Sequence, residues 1–137
     1  MNKRFKNLVF SGMLGWLLNS NSAAAMDRWA ALSLLESGNN DAAIGHAGEV
    51  SRFQIKPRLW ETYFGKDRAA DPTNSRVALR VAQSIMRERC AAFERRFHRP
   101  PTNFEYYVLW NAPCQVRKPG KAVTERADRF CNLVGAG

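Results

Sequence analysis

The run Glu36-Ser37-Gly38-Asn39-Asn40-Asp41, followed at Gly48 by Gly-Glu-Val-Ser-Arg-Phe-Gln-Ile through Ile55, decides how this chain is read. Upstream of it, Trp29, Ala31, Leu32 and Leu35 recur at helical spacing, and Asp27 stands where an N-cap belongs. The spacing predicts a helix that carries Glu36 on its last turn. Gly38-Asn39-Asn40-Asp41 ends that helix, and a polar loop continues through Gly45, His46 and Gly48. Val50 to Ile55 alternates and is rich in Val, Phe and Ile, which predicts a short strand or extended segment. A carboxylate on an apolar helix, facing a Gly-rich loop, has the makings of an acid–base site. Desolvation by Leu32, Leu35 or Phe53 would favour the protonated form that a general acid needs.

Working outward, Pro57 opens a short helix with Leu59, Trp60, Tyr63 and Phe64, stopped by Gly65. Asp71-Pro72 reads as an N-cap followed by a first-turn proline. Val77, Val81, Ile85, Ala92 and Phe93 then predict a long helix from about Pro72 to Phe97, broken by Pro100-Pro101. Thr102-Asn103-Phe104-Glu105 is a capping-box signature for a helix ending near Asn111-Ala112-Pro113. A basic loop from Gln115 to Lys121 leads to a last helix, Thr124 to Leu133. The sum is a small, mainly α domain with one short extended element beside Glu36.

Residues 1–25 have the features of a secretory signal peptide: Lys3, Arg4 and Lys6, an apolar Leu8–Leu18, then Ala23-Ala24-Ala25. The apolar run falls short of the ~20 residues that a bilayer span wants, and no Cys follows it to carry a lipid. Cleavage after Ala25 removes three cations from a net charge of +9 and leaves 112 residues at +6, enough for one domain. The expectation is an exported, periplasmic or secreted protein without stable membrane insertion. A basic exported domain suits an anionic partner such as the cell wall, and export argues against nucleic acid. Arg87, Arg89, Arg95, Arg96 and Arg99 read as a largely solvated face.

Cys90, Cys114 and Cys131 are an odd set for an exported chain. Cys114–Cys131 is the expected disulfide, which would tie down the C-terminal tail for ~3 kcal/mol, and Cys90 is expected to be a small buried hydrophobe. No Cys or His pair has metal-ligand spacing, so no metal is expected.

The pattern around Glu36 resembles the active-site region of lytic transglycosylases of the lysozyme-like superfamily. There a Glu-Ser pair opens the motif, a glycine follows twelve positions after the Glu, a glutamine eighteen after it, and a proline three further on. Glu36-Ser37, Gly48, Gln54 and Pro57 match. Val108-Leu109-Trp110-Asn111-Ala112-Pro113 stands where the family carries Ala-x-Tyr-Asn-Ala-Gly. Ser51, Arg52 and Phe53 depart from the family's Gly, Leu and Met, and Trp110 replaces a tyrosine that orients the catalytic group, with Tyr107 or Tyr106 as stand-ins. The resemblance covers roughly residues 29–113 and makes this a divergent member.

The resemblance implies a lysozyme-like α+β fold, with the cleft between the Glu36 region and the helix bearing Trp110-Asn111. It implies cleavage of the β-1,4 bond between N-acetylmuramic acid and N-acetylglucosamine in peptidoglycan. A single catalytic carboxyl, Glu36, serves as acid and then base, giving a 1,6-anhydro product with no cofactor. Ser37, Ser51, Gln54, Tyr107, Trp110 and Asn111 are the expected substrate-binding residues. His46 rims the cleft, and His98 lies at a surface helix end. Glu49, with Asp41 as an alternative, offers a second carboxylate for a hydrolytic, lysozyme-type route; Glu49 is equally suited to pairing with Arg52. A non-catalytic wall-binding module is the rival from another class. The small size suggests a monomer that opens the wall locally, for instance for a secretion machine.

Overall fold

A computed structural model describes residues 24–64 and 70–135. Most of the expected signal peptide and the expected stop at Gly65 lie outside them. Five α-helices form the described part: α1 Arg28–Ser37, α2 Pro57–Phe64, α3 Ser75–Phe97, α4 Asn103–Asn111 and α5 Lys121–Val134.

Local sequence sets most of the ends. Asp27 caps α1, its Oδ1 accepting from the N–H groups of Trp29 and Ala30 at 2.8 and 3.1 Å. Gly38 ends α1 at φ +65°, a left-handed conformation that costs glycine little. The Gly38 and Asn39 N–H groups return to the carbonyls of Leu34 and Ser33, so the last turn is satisfied just beyond Glu36. Thr102 and Glu105 form the expected capping box on α4.

Three boundaries differ from expectation. The first turn of α3 is capped by Asn74, not Asp71, because the Asp71 carboxylate is taken up in its own turn by the N–H and hydroxyl of Thr73. Helix α5 starts at Lys121, three residues early, with Gly120 as its cap. Val50–Ile55 is not a strand: it is a tight turn closed by reciprocal Val50–Ile55 backbone bonds of 2.9 and 2.8 Å. Ser51 and Gln54 have φ of +71° and +51°, which bends the backbone out of an extended course while Ser51, Phe53 and Ile55 are still buried in alternation.

Helix α4 is the centre of the molecule. Tyr106, Tyr107, Val108, Leu109 and Trp110 are all buried, as expected of a helix surrounded on all sides. It packs on α5 and α3, while α1 packs on α5. The core is completed by Ala31 and Leu32 of α1, Val81, Ile85, Met86 and Phe93 of α3, Phe130 of α5, and Phe53 and Ile55 of the tight turn. Tyr106 and Tyr107 lie against the Phe130 ring at centroid distances of 6.1 and 5.5 Å. The Met26 N–H bonds the Leu133 carbonyl at 2.9 Å, joining the two ends of the described chain.

The expected Cys114–Cys131 disulfide is absent: all three cysteines are free thiols, with Cys114 exposed and Cys131 half-buried on α5. The tail is held by the apolar face of α5 instead. Cys90 is half-buried, and burial pushes its thiol upward. Among the described residues no helix is long and apolar enough to cross a membrane, and no cluster of His, Cys, Asp or Glu has the makings of a metal site.

Candidate active site

A cavity of about 320 Å³ opens between the end of α1, the loop of residues 44–56, and the end of α4. Its lining includes Glu36, Glu49, Gln54, Arg89, Trp110, Asn111 and Arg126. The residues that the motif spacing singled out on either side of the chain, Glu36 with Gln54 and Trp110 with Asn111, therefore face one space.

Glu36 has only 8% of its side chain exposed. Its Oε1 accepts two bonds, from the Tyr107 hydroxyl at 2.8 Å and from Arg126 Nη2 at 3.0 Å. Arg126 Nε donates in turn to the Tyr107 oxygen at 2.6 Å. A closed triangle of guanidinium, phenol and carboxylate results. Burial, then the neighbouring Glu36, pushes the Tyr107 pKa far above the ordinary phenol value. Its proton stays in place, so Tyr107 is a fixed donor to Glu36. Oε2 has no hydrogen-bond partner among the described residues and is the oxygen left to act on a ligand.

Tyr107 is fully buried and offers no face for stacking; its part is to hold Glu36. Tyr106 does not share that part, being packed between Trp29 and Phe130 with the Arg28 guanidinium 4.5 Å from its ring centre. Trp110 is 8% exposed, sits edge-on to Phe53, and reaches the cavity with Asn111 beside it.

The loop residues divide into lining and scaffold. Ser37 is scaffold: its hydroxyl donates to the Arg52 carbonyl at 2.8 Å and accepts from the Asn40 N–H at 3.1 Å, pinning the tight turn to the end of α1. Ser51 is buried, and its Oγ accepts from the Phe53 N–H at 3.2 Å, so it satisfies the turn and stays out of the cavity. Gln54 lines the cavity. Its Nε2 is held by the Ser51 carbonyl at 3.1 Å, and its left-handed backbone is a strain of about 1–2 kcal/mol that aims the side chain inward.

Of the two further carboxylates, only Glu49 reaches the cavity. Asp41 is bound to Arg52 through two bonds of 2.5 and 2.8 Å, which hold its carboxyl below the usual range. The pairing of Glu49 with Arg52 is thereby replaced by Asp41–Arg52. Glu49 Oε2 accepts from the Ala47 N–H at 3.0 Å. A Cβ built on Gly45 would clash with both Glu49 Oε2 and Gln54 Oε1, so the missing side chain at Gly45 lets these two polar groups converge. His46 is exposed at the rim, and His98 is an exposed helix cap.

Sequence reasoning missed two residues, Arg89 and Arg126. Both were legible in register. Arg89 follows Val81 and Ile85 at four-residue spacing on the inward face of α3, and Arg126 lies beside Ala127, between Val123 and Phe130, on the inward face of α5. Arg89 therefore leaves the solvated face to which its basic neighbours belong. Its Nη1 donates to the carbonyls of Leu109 and Trp110, both at 2.7 Å, and so caps the end of α4 under the cavity.

Comparison of the chain with family models, with curated proteins and with solved structures found no match.

Proposed function

We propose that this chain is a divergent, lysozyme-like lytic transglycosylase that cleaves the MurNAc–GlcNAc β-1,4 bond of peptidoglycan. The observation that carries the reading is the carboxyl of Glu36, 8% exposed, oriented by Tyr107 at 2.8 Å and facing a cavity shared with Gln54, Trp110 and Asn111. Glu36, Gln54 and Asn111 are positions at which the sequence resembles that family, while Trp110 stands where the family has tyrosine and Tyr107 is a stand-in for it.

In this mechanism Glu36 enters with a proton on Oε2 while Oε1 keeps its bonds from Tyr107 and Arg126; Oε2 gives that proton to the glycosidic oxygen, the bond to C1 of the muramic acid breaks, and positive charge develops on that sugar. The same oxygen then takes the proton from the muramic acid C6 hydroxyl as O6 closes on C1. The carboxyl ends as it began, no water is consumed, and the product is a 1,6-anhydro sugar. Tyr107 and Arg126 keep the carboxyl in one orientation through both transfers. Gln54 and Asn111 are placed to bond sugar substituents, and Trp110 offers the edge of an apolar wall. The exported location, a monomeric state and a role in local wall opening beside a secretion machine belong to the same proposal.

Glu49 supports a second reading. It lines the same cavity as Glu36, and a second carboxylate with room for water between is the arrangement of a hydrolase. Digestion of purified peptidoglycan with mass-spectrometric readout separates the two, with Glu36→Gln as control. Anhydro products one water lighter than hydrolytic ones, lost in Glu36→Gln, are expected. Reducing-end products would transfer the assignment to a lysozyme using Glu49. Firm binding by both proteins without any release would make the domain a wall-binding module.

A further inference from the structure

The cavity contains a cation that its walls do not neutralise. Arg89 is half-buried, and burial lowers its pKa against the opposing pull of Tyr63, Cys114 and Glu88. One nitrogen, Nη1, caps the Leu109 and Trp110 carbonyls. Those carbonyls lie in the last turn of α4 and lack partners within the helix, so that bond accounts for part of the charge. Nε and Nη2 have no hydrogen-bond partner among the described residues, and no carboxylate among them lies within 4.0 Å of the guanidinium. A desolvated guanidinium is costly until it meets an anion.

The other charges of the cavity do not supply one. Glu36 is engaged by Arg126, Glu49 makes no ion pair with Arg89 and accepts from the Ala47 N–H, and Lys56 adds a further cation at the wall. His46 stands at the rim. The remaining Nε–Nη2 edge of this planar guanidinium matches a carboxylate in bidentate fashion.

We infer that Arg89 forms an anion subsite for a carboxylate carried by the saccharide, namely the free lactyl carboxylate of a muramic acid from which the peptide has been removed. This rests on the transglycosylase reading for its choice of saccharide. When the stem peptide is present, the lactyl carboxyl is an amide and has no charge to offer. The subsite therefore selects peptide-free strands. A reaction that hydrolyses the bond between the lactyl group and the peptide must come first to supply this substrate.

The test is binding to the Glu36→Gln protein, which holds the substrate uncut. Four tetrasaccharides of equal length serve as probes: the peptide-free GlcNAc–MurNAc alternate, its lactyl methyl ester, the peptide-bearing form, and an all-GlcNAc oligomer. The free acid is expected to bind about tenfold tighter than the ester and the all-GlcNAc oligomer. Adding Arg89→Gln is expected to abolish that preference, with Arg89→Lys restoring part of it. The ester comparison needs no change to Arg89, so it stands even if its loss frees the end of α4 and unfolds the domain. Equal binding of acid and ester, or no saccharide binding, overturns the subsite. Peptide-bearing strands binding as tightly as the free acid overturn the lactyl assignment in favour of a stem carboxylate. An acid-over-ester preference without turnover by the wild type sinks the enzyme reading and leaves the subsite standing. Turnover with equal binding does the reverse.

Discussion

Tyr107 is the residue on which the geometry of Glu36 turns. Its hydroxyl receives a bond from Arg126 and passes one to Glu36, while burial keeps its proton on. Tyr107→Phe removes that link and leaves the ring in the core. A hydrogen bond to a charged group contributes about 2 kcal/mol, so under the proposed transglycosylase function kcat on peptidoglycan is expected to fall about thirtyfold. Steady-state kinetics against a thermal melt checks this: kcat should fall while the melting temperature moves by only a few degrees. A wild-type kcat in the variant would remove Tyr107 from the catalytic arrangement. The sequence showed half of this triangle. Glu36 stood out because a carboxylate ended an apolar helix, and Tyr107 was one of two adjacent tyrosines. Only the direction each faces on α4 separates them, since Tyr106 points to Trp29 and Tyr107 to Glu36. The register of α5 marks Arg126 as inward-facing, but it lies ninety positions from Glu36, and no local pattern reports which residue it meets at that separation.

At the scale of the element, capping chemistry was the most legible feature. Asp27, Gly38 and the Thr102–Glu105 box each act within a few residues of themselves, so local sequence suffices to read them. The Asp71-Pro72 start failed because Asp71 and Asn74 compete for the role of cap, and propensity alone does not rank them. The turn at Ser51–Gln54 failed because alternation reports which side chains are buried, and burial of Phe53 and Ile55 is equally compatible with a bend. The capping box also carries a pH dependence. Arg99, with help from the Thr102 N–H and hydroxyl, lowers the Glu105 pKa from 4.5 to about 2. The folded-state pKa is the lower one, so this stabilisation is fully present above about pH 4.5 and is lost as the pH falls toward 2. Glu105→Gln cannot follow that titration. The urea midpoint of the wild type should exceed that of Glu105→Gln at pH 6, and the difference should shrink steadily below pH 4.5. A pH-independent difference would mean the carboxylate contributes through shape alone. Thr102→Ala should cost about 1 kcal/mol at pH 6, read from the same midpoints.

For the molecule as a whole, the cavity depends on how α1, α4 and α5 are held together, since each delivers one corner of the Glu36–Tyr107–Arg126 triangle. Phe130 joins two of them, α4 and α5. It is fully buried on α5, one turn from Arg126, and lies against both Tyr106 and Tyr107 of α4. The apolar register of these helices, readable in the sequence, is enough to assemble them. It does not say which rings meet, because Leu, Phe and Tyr are interchangeable in such a pattern. Stability and activity should therefore come apart at this position. Phe130→Leu keeps the apolar character of α5 but removes the flat surface that fixes the Tyr107 ring, so the domain should fold with a loss of about 1–3 kcal/mol. Tyr107 would then sample positions in which its hydroxyl misses Glu36, and misplacement of about 1 Å costs about a hundredfold in rate. The expected outcome is a folded, cooperative variant whose kcat falls well beyond that of Tyr107→Phe, because Arg126 moves together with α5. Adding Tyr107→Phe to Phe130→Leu should then cost little more, since both act on the same contact. Full additivity in that double variant would show that Phe130 supports the fold without reaching the site.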